Sequence, residues 1–428
     1  MNIIKYPQIS TVDKLIERPV FEAEFLESTV KNIISRVRLG GDEALIKFTE
    51  QFDKVKIDSL AVTPEEIAQA TARVSGALKQ AIQNAKANIE KFHSVQKRDE
   101  QKVETQPGVT CWRKSVGIER VGIYIPGGSA PLFSTVLMLG VPAMIAGCKE
   151  VILCTPPDRN GEINPAILYT ADLVGINKIF KTGGAQAIAA MAYGTESIAK
   201  TDKIFGPGNQ YVTAAKQLVS TQGVAIDMPA GPSELAIIAD RSCEPAFVAS
   251  DLLSQAEHGQ DSQVILITDD AQVLDDVLES IKTQVESLPR KSIALNSLNN
   301  SKFILVKTME EAMEISNRYA PEHLIIATKN ALVLAEKVIN AGSVFIGNYS
   351  PESAGDYASG TNHTLPTNGA ARAYSGVSLD SFMKQITFQE ISESGIRALG
   401  PTIEAMAEAE QLAAHKNAVS IRLEKLSK

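Results

Sequence analysis

Cysteine, aromatic residues and clusters of positive charge are all scarce in the 428-residue sequence. Its four cysteines, Cys111, Cys148, Cys154 and Cys243, include no C-x-x-C pair, and none has the flanking signature of a nucleophile. This pattern favours reduced, mostly buried thiols in a reducing compartment. Lys and Arg form no basic block and the formal net charge is −8, so neither a nucleic acid nor an anionic membrane is expected as a partner.

Long apolar segments are also absent from the sequence. The longest, residues 134–147, is shorter than the roughly 20 residues that cross a bilayer, and it contains Pro142. The first ten residues, MNIIKYPQIS, lack the charged and then apolar pattern of a secretion signal. Together these absences predict a soluble, cytoplasmic protein with no membrane partner.

Short apolar runs follow one another from residue 120 onwards. They occupy residues 121–125, 150–154, 178–181, 203–205, 235–239, 263–268, 303–307, 323–328 and 343–347. Solid apolar runs suit strands that are buried on both faces of a parallel sheet. Because helical segments separate them, the sequence predicts βαβ units. The predicted fold class is α/β, with two doubly wound, Rossmann-like lobes and mostly parallel sheets.

Four regions are predicted along the chain. They are an N-terminal arm (1–20), an α/β lobe with the metal and catalytic residues (21–119 with 236–380), a nucleotide-binding lobe (120–235) and a helical tail (381–428). Residues 20–105 are expected to be helical, and Thr63-Pro64-Glu65-Glu66 has the pattern of a capping box. This helical segment is expected to pack on the second lobe, with His93 on the surface near its end.

Three glycine clusters follow predicted strands of the nucleotide lobe, at residues 126–129 (PGGS), 183–186 (GGAQ) and 206–209 (GPGN). Each leads into a helical stretch, where backbone N–H groups and a helix N-terminus suit a phosphate. None has the spacing G-x-G-x-x-G, and any one alone is typical of an ordinary turn between strand and helix. Since all three fall in one lobe, nucleotide binding and ordinary turns are about equally good interpretations.

Four of the five histidines have a carboxylate or an amide as a close neighbour in the sequence. The pairs are Gln255 with His258 at the end of a helix expected to stop at Gly259, Glu322 with His323 just before a strand, Asp356 with His363 in a Gly/Ser/Thr-rich loop, and Glu410 with His415 in the tail. Histidine with carboxylate suits a zinc-like cation. The adjacent Glu322 and His323 suit an acid–base couple, because burial and neighbours tune both groups towards neutral pH.

Each of these residues also has an ordinary interpretation. His258 suits a charge at a helix C-terminus, Asp356 and His363 suit loop polar groups, and Glu410 suits a solvated helix face. Their joint occurrence favours the functional interpretation. Glu410 and His415 are separated by about 140° around a straight helix, so they do not face one small ligand from it. Either the helix ends near His415, or the two residues have different roles.

Longer segments resemble a known family, histidinol dehydrogenase, over nearly the whole chain. They are IPGGSAPLFSTVLML, GGAQAIAAMAYGTES, IFGPGN, DMPAGPSE, SDLLSQAEHG, APEHLI, SPESAGDYASGTNH and AHKNAV. The resemblance implies a zinc- and NAD-dependent enzyme of histidine biosynthesis. Its reaction is the four-electron oxidation of L-histidinol to L-histidine through L-histidinal.

The resemblance also implies roles for individual residues. Gln255, His258, Asp356 and His415 match the ligands of one zinc ion per subunit. Glu322 and His323 match the bases, with Glu322 activating water and His323 taking the alcohol proton. Substrate contacts are implied for Ser233, His363 and Glu410, for His323 and for the four metal ligands. Tyr124, Gln186 and Asn209 match the NAD contacts.

The family is a homodimer whose tail crosses to the partner, so Glu410 and His415 are expected to serve the partner's site. Two other functions fit the polar residues alone. A zinc hydrolase also places Glu and His beside a metal, but the three glycine clusters and the lack of H-E-x-x-H argue against it. A catalytically idle metal- or nucleotide-binding protein would not need the Glu322–His323 pair.

Overall fold

A computed structural model describes residues 2–18, 23–127, 130–228 and 231–428, without the side chains of 23–25. Gly128 and Ser129 of the first glycine cluster, and residues 1, 19 and 20 of the predicted arm, lie outside the described residues. The chain divides into two compact units: Met1–Gln96 with Ile118–Phe382, and Lys97–Gly117 with Met383–Lys428. Within the described residues, no helix combines the length and apolar composition needed to cross a membrane.

The strands and helices are numbered in chain order. The strands are Asn2–Lys5 (β1), Lys102–Gln106 (β2), Val109–Gly117 (β3), Arg120–Tyr124 (β4), Glu150–Thr155 (β5), Lys178–Lys181 (β6), Lys203–Phe205 (β7), Ala225–Ile226 (β8), Glu234–Ala239 (β9), Gln263–Thr268 (β10), Lys302–Leu305 (β11), His323–Ala327 (β12), Ser343–Ile346 (β13) and Met383–Ile391 (β14). The helices are Val12–Leu15 (α1), Ala23–Phe52 (α2), Pro64–Arg73 (α3), Gly76–Ser94 (α4), Phe133–Ala146 (α5), Pro165–Leu173 (α6), Gly184–Tyr193 (α7), Gln210–Ser220 (α8), Pro245–Ala256 (α9), Ala271–Val285 (α10), Lys291–Asn300 (α11), Met309–Tyr319 (α12), Ala331–Ala335 (α13), Glu352–Tyr357 (α14), Glu393–Ala409 (α15) and Ala413–Leu426 (α16).

Two parallel sheets form the frame of the larger unit. The first has the order β6-β5-β4-β7-β8, and the second has the order β1-β11-β10-β9-β12-β13. The strand order reverses at β4 in the first sheet and at β9 in the second. Doubly wound folds bind ligands at such reversal points, usually at the carboxyl ends of the strands. The predicted α/β fold class with two doubly wound parallel sheets is confirmed.

Successive residues of the second sheet's central strand pack into two different cores. Leu235 and Ile237 belong to the apolar cluster on one face, whereas Ala236 and Ile238 belong to the cluster on the other. Every residue of this strand, β9, is buried. The uninterrupted apolar run at residues 235–239 therefore reflects a strand that is covered on both faces, as predicted.

The N-terminal helices pack on the first sheet. Val30, Ile34 and Leu45 of α2 share one core with Ile188 of α7 and Ala215 of α8. The prediction that this segment packs on the second lobe is therefore wrong. The apolar stripe of a helix shows that it is buried, but it does not show against which sheet.

His93 is fully buried, not on the surface as predicted. It continues the buried row of Ala85 and Ile89 along α4, at a spacing of four residues. Its Nδ1 lies 2.9 Å from the carbonyl oxygen of Ile89. Burial lowers the pKa of His93, so the ring is more readily neutral than an exposed imidazole.

The smaller unit contains an antiparallel sheet, β14-β3-β2, and the helices α15 and α16. The expectation of helix over residues 97–105 and at the start of the tail is therefore wrong. Cross-strand pairs explain the sheet, since the rings of Trp112 and Phe388 stack at 5.3 Å between centroids.

Candidate active site

Glu322 and His323 lie at the amino end of β12, and both contact the main chain of Glu234 at the start of β9. The N–H of Glu234 donates to Glu322 Oε2 over 2.8 Å. His323 Nδ1 lies 3.1 Å from the Glu234 carbonyl oxygen and donates to it. His323 Nε2 is buried without a hydrogen-bond partner. The pair is thus held rigidly, with one ring nitrogen of His323 left for another group.

A cluster of possible metal ligands lies beside this pair. Atoms of His258, Glu352 and Asp356 all lie within 4.8 Å of one another. Asp356 Oδ1 is 3.7 Å from His323 Nε2. The amide of Gln255, oriented with its nitrogen towards Glu352, donates to that carboxylate. Three of the four predicted zinc ligands therefore lie in one cluster.

Two details of this cluster differ from the sequence predictions. Asp356 lies in the short helix α14, not in a loop, and Glu352 one turn earlier shares its face of the helix. Glu352 was not among the residues predicted from the sequence. Helix α9 ends at Ala256 rather than near Gly259, so His258 lies in the turn after it and is exposed, whereas Gln255 is buried.

The donor set fits a zinc ion, which imidazole nitrogen and carboxylate oxygen bind. Burial, helped by the charges of Asp356 and Glu322, raises the pKa of Glu352 well above its usual value against the effect of His323. Carboxylates grouped in this way repel one another unless a cation joins them. A divalent cation would supply the missing positive charge.

The ionisation of His323 reflects the same surplus of negative charge. Burial acts to lower the pKa of His323, but the charges of Glu322 and Glu352 and the contact with Asp356 raise it well above its usual value. Carboxylates therefore lie on more than one side of the His323 imidazole, with Glu322 Oε2 at 3.6 Å from Nδ1 and Asp356 Oδ1 at 3.7 Å from Nε2.

His363 joins the cluster to the first sheet. Its Nδ1 lies 2.9 Å from the Asp356 carbonyl oxygen, and its Nε2 lies 3.1 Å from the hydroxyl of Thr135 on α5. Burial lowers the pKa of His363, which favours a neutral ring that donates through Nδ1 and accepts through Nε2. A substrate that contacts this ring at Nε2 would replace Thr135.

A cavity of about 1050 Å³ opens at the carboxyl ends of the first sheet, and Tyr124, Gln186 and Asn209 all line it. The Tyr124 hydroxyl accepts a hydrogen bond from the N–H of Gly184 over 3.1 Å. Burial raises the pKa of Tyr124 to about 12, so the phenol stays neutral. The three predicted NAD contacts therefore share one cavity, which members of all three glycine clusters line.

The third glycine cluster is fixed by a buried ion pair that the sequence analysis missed. Lys216 and Asp227 contact each other, and both are almost fully buried. Lys216 Nζ donates to the Gly206 carbonyl over 2.9 Å, while Asp227 Oδ2 accepts from the Gly206 N–H over 2.8 Å. Gly206 has φ +126°, and a Cβ there would overlap the Tyr124 carbonyl. This position therefore needs glycine.

The remaining predicted site residues are Ser233, Glu410 and His415. Ser233 is half-buried just before β9, and its carbonyl accepts from the N–H of Gln263. Glu410 caps the end of α15 and His415 lies in α16, so the helix ends between them. Both are exposed and belong to the smaller unit.

The chain resembles known proteins along its whole length. The family model "Histidinol dehydrogenase" matches residues 16–423. Histidinol dehydrogenase of Bacteroides thetaiotaomicron is 62% identical over 426 residues, covering 100% of both chains. That of Vibrio vulnificus is 54% identical and covers 97% of this chain and 96% of its own. The crystal structure of histidinol dehydrogenase from Elizabethkingia anophelis matches with a TM-score of 0.98 and 58% identity, covering 100% of this chain and 99% of that one.

Proposed function

The chain belongs to the histidinol dehydrogenase family, and we propose that it oxidises L-histidinol to L-histidine through L-histidinal, with NAD⁺ as oxidant, in histidine biosynthesis. The observation that carries this proposal is the buried Glu322–His323 pair beside the cluster of His258, Glu352 and Asp356. Family membership favours this reaction over a zinc hydrolase or an idle binding protein.

We propose that Gln255, His258, Asp356 and His415 hold one zinc ion per subunit. When bound, zinc would act as a Lewis acid that fixes the substrate's imidazole and amino nitrogens. Glu352, adjacent to Gln255, is a further carboxylate at this position. The support is the donor set and the surplus negative charge of the buried cluster.

His323 and Glu322 have separate roles in this proposal. In the first oxidation the alcohol loses a hydride from carbon and a proton from oxygen, and His323 Nε2 takes the proton. In the second, Glu322 removes a proton from the water that adds to the aldehyde, and the aldehyde oxygen takes the proton held by His323. The hydrate then loses a hydride from carbon and a hydroxyl proton, which His323 Nε2 takes. Each oxidation transfers one hydride to NAD⁺. Glu322 Oε2 accepts the Glu234 N–H, which leaves Oε1 for the water.

Cofactor and substrate would approach the cluster from different directions. We propose that Tyr124, Gln186 and Asn209 bind NAD⁺ in the cavity of the 120–235 lobe. Ser233, His363 and Glu410, with the metal ligands and His323, would contact L-histidinol. His363 contacts Thr135 of α5, the helix that follows the first glycine cluster. The substrate would therefore lie nearest to the cofactor beside His363.

We further propose a cytoplasmic homodimer in which the tail of each chain completes the partner's site. Support comes from the smaller unit, where Glu410 and His415 are exposed. The apolar side chains of Met406, Leu412 and Ile421, in the same two helices and the turn between them, are exposed too, and exposed apolar surface is typical of an interface.

The proposed function is tested by mixing the purified protein with L-histidinol and NAD⁺ and measuring NADH absorbance. We expect two NADH for each histidine formed. A chelator should abolish the activity, and added zinc should restore it. Absence of NADH with zinc-loaded protein would contradict the proposal.

A further inference from the structure

Arg18, in the segment before α2, forms a bidentate ion pair with Glu234. Arg18 Nε lies 2.5 Å from Glu234 Oε1, and Nη2 lies 2.9 Å from Oε2. The Glu234 side chain is only 3% exposed and that of Arg18 is 17% exposed. A bidentate pair of this kind stabilises the buried carboxylate and also fixes the orientation of the carboxylate relative to the guanidinium plane.

The same guanidinium also contacts the chain that leads into Glu322. Arg18 Nη2 donates to the Tyr319 carbonyl over 2.8 Å, and the guanidinium carbon lies 4.0 Å from the Tyr319 ring centroid. The next residue, Ala320, has φ +53°, a backbone conformation that needs surrounding contacts to persist. Arg18 therefore contacts both the first residue of β9 and the segment that leads into β12.

Glu234 transmits this contact to the candidate bases through its main chain. Its N–H donates to Glu322, and its carbonyl accepts from His323. The Gln255 amide oxygen also lies 3.1 Å from the same N–H. A shift of the Glu234 main chain would therefore displace both bases together, and the predicted metal ligand with them.

We propose that Arg18 is a positioning residue for Glu322 and His323, acting through Glu234. This inference rests on the proposed function, in which these two residues are the bases. Without Arg18, the Glu234 carboxylate would be buried without a cationic partner, so it would move towards solvent or bind a proton. Either change would move the Glu234 main chain, and with it Glu322 and His323. Misplaced bases lower kcat more than they weaken substrate binding.

The test compares zinc-loaded wild type, Arg18→Ala, Arg18→Lys and the control Arg318→Ala. Arg318 lines the same open cavity of about 1000 Å³ as Arg18 but pairs with Asp13 and Glu314 instead. We expect Arg18→Ala to lose about tenfold or more in kcat, with the KM for NAD⁺ unchanged. The kcat of Arg18→Lys should lie between those of wild type and Arg18→Ala, because lysine keeps the positive charge but cannot bind both carboxylate oxygens of Glu234 in a bidentate pair. The kcat of Arg318→Ala should equal that of wild type.

Chemical rescue separates positioning from general stabilisation. Guanidinium chloride at non-denaturing concentration should restore part of the kcat of Arg18→Ala, because the ion enters through the open cavity. Sodium chloride at equal ionic strength should not restore it. Wild-type kcat in Arg18→Ala, or a loss that guanidinium does not reverse, would overturn the inference. If Arg18→Ala does not fold, wild-type kcat in Arg18→Lys would overturn it.

A crystal structure of an Arg18 variant gives a readout that is independent of activity. We expect displacement of the Glu234 main chain and of the His323 ring. Unchanged positions of both would overturn the inference, even if the wild type failed to oxidise L-histidinol. Inactive wild type with displaced bases would instead contradict the proposed function and leave the positioning role standing.

Discussion

At the scale of single residues, Glu352 is the most deeply buried member of the cluster that it forms with His258 and Asp356. Glu322 and His323 could be predicted because they are adjacent and precede a strand. Glu352 could be found only after recognition of α14, since four-residue spacing then places it beside Asp356. The helix has six residues and no apolar period, so its sequence predicts a loop.

Glu352→Gln should weaken zinc binding without destabilising the metal-free protein. The variant removes a carboxylate whose pKa is raised by burial and by its acidic neighbours, so the metal-free protein should unfold at the same temperature or higher. Zinc affinity should fall by about tenfold or more, as measured by competition with a chelator. Glu336→Gln, at an exposed position, is the control, and equal zinc affinity in both variants would contradict this role.

At the scale of elements, the apolar runs predicted nearly all strands of the two parallel sheets. They did not reveal at which edge of each sheet the candidate catalytic and binding residues lie. The cavity that we propose for NAD⁺ lies at the carboxyl ends of the first sheet, as is usual. Glu322 and His323 instead lie at the amino edge of the second sheet, where the last turn of α9 also brings Gln255. Strand order alone would have pointed to the opposite edge.

The glycine clusters were recognisable as loops, but the ion pair that fixes the third one was not. Lys216 and Asp227 are 11 positions apart, and only the fold brings them together around Gly206. Lys216→Met should raise the KM for NAD⁺ and lower the free energy of unfolding by about 3–5 kcal/mol, because Asp227 stays buried and unpaired.

Urea unfolding and NADH kinetics measure these two effects. Lys149→Met breaks the exposed pair with Glu119 and should cost at most about 1 kcal/mol, with no change in KM. A similarly small cost in Lys216→Met, together with an unchanged KM, would contradict the role assigned to the buried pair.

At the scale of the whole molecule, the fold class followed from the sequence but the grouping of elements did not. The N-terminal helices showed apolar stripes, yet these stripes did not reveal that α2 joins the first sheet. Strands β3 (Val109–Gly117) and β14 (Met383–Ile391) pair from distant parts of the chain, and local patterns carry little information about such pairing. The spacing of Glu410 and His415 left two alternatives, a helix that ends near His415 or different roles for the two residues. The structure has a helix end between them.

The central claim is that Glu322 and His415 of one site come from different chains. Glu322→Gln and His415→Ala homodimers should each be nearly inactive. A mixed dimer of the two, purified through different affinity tags, should have about half of the wild-type kcat, because one of its two sites contains both native residues. If the tail served its own chain, both sites would be defective. A mixed dimer as inactive as its parents would therefore contradict the claim.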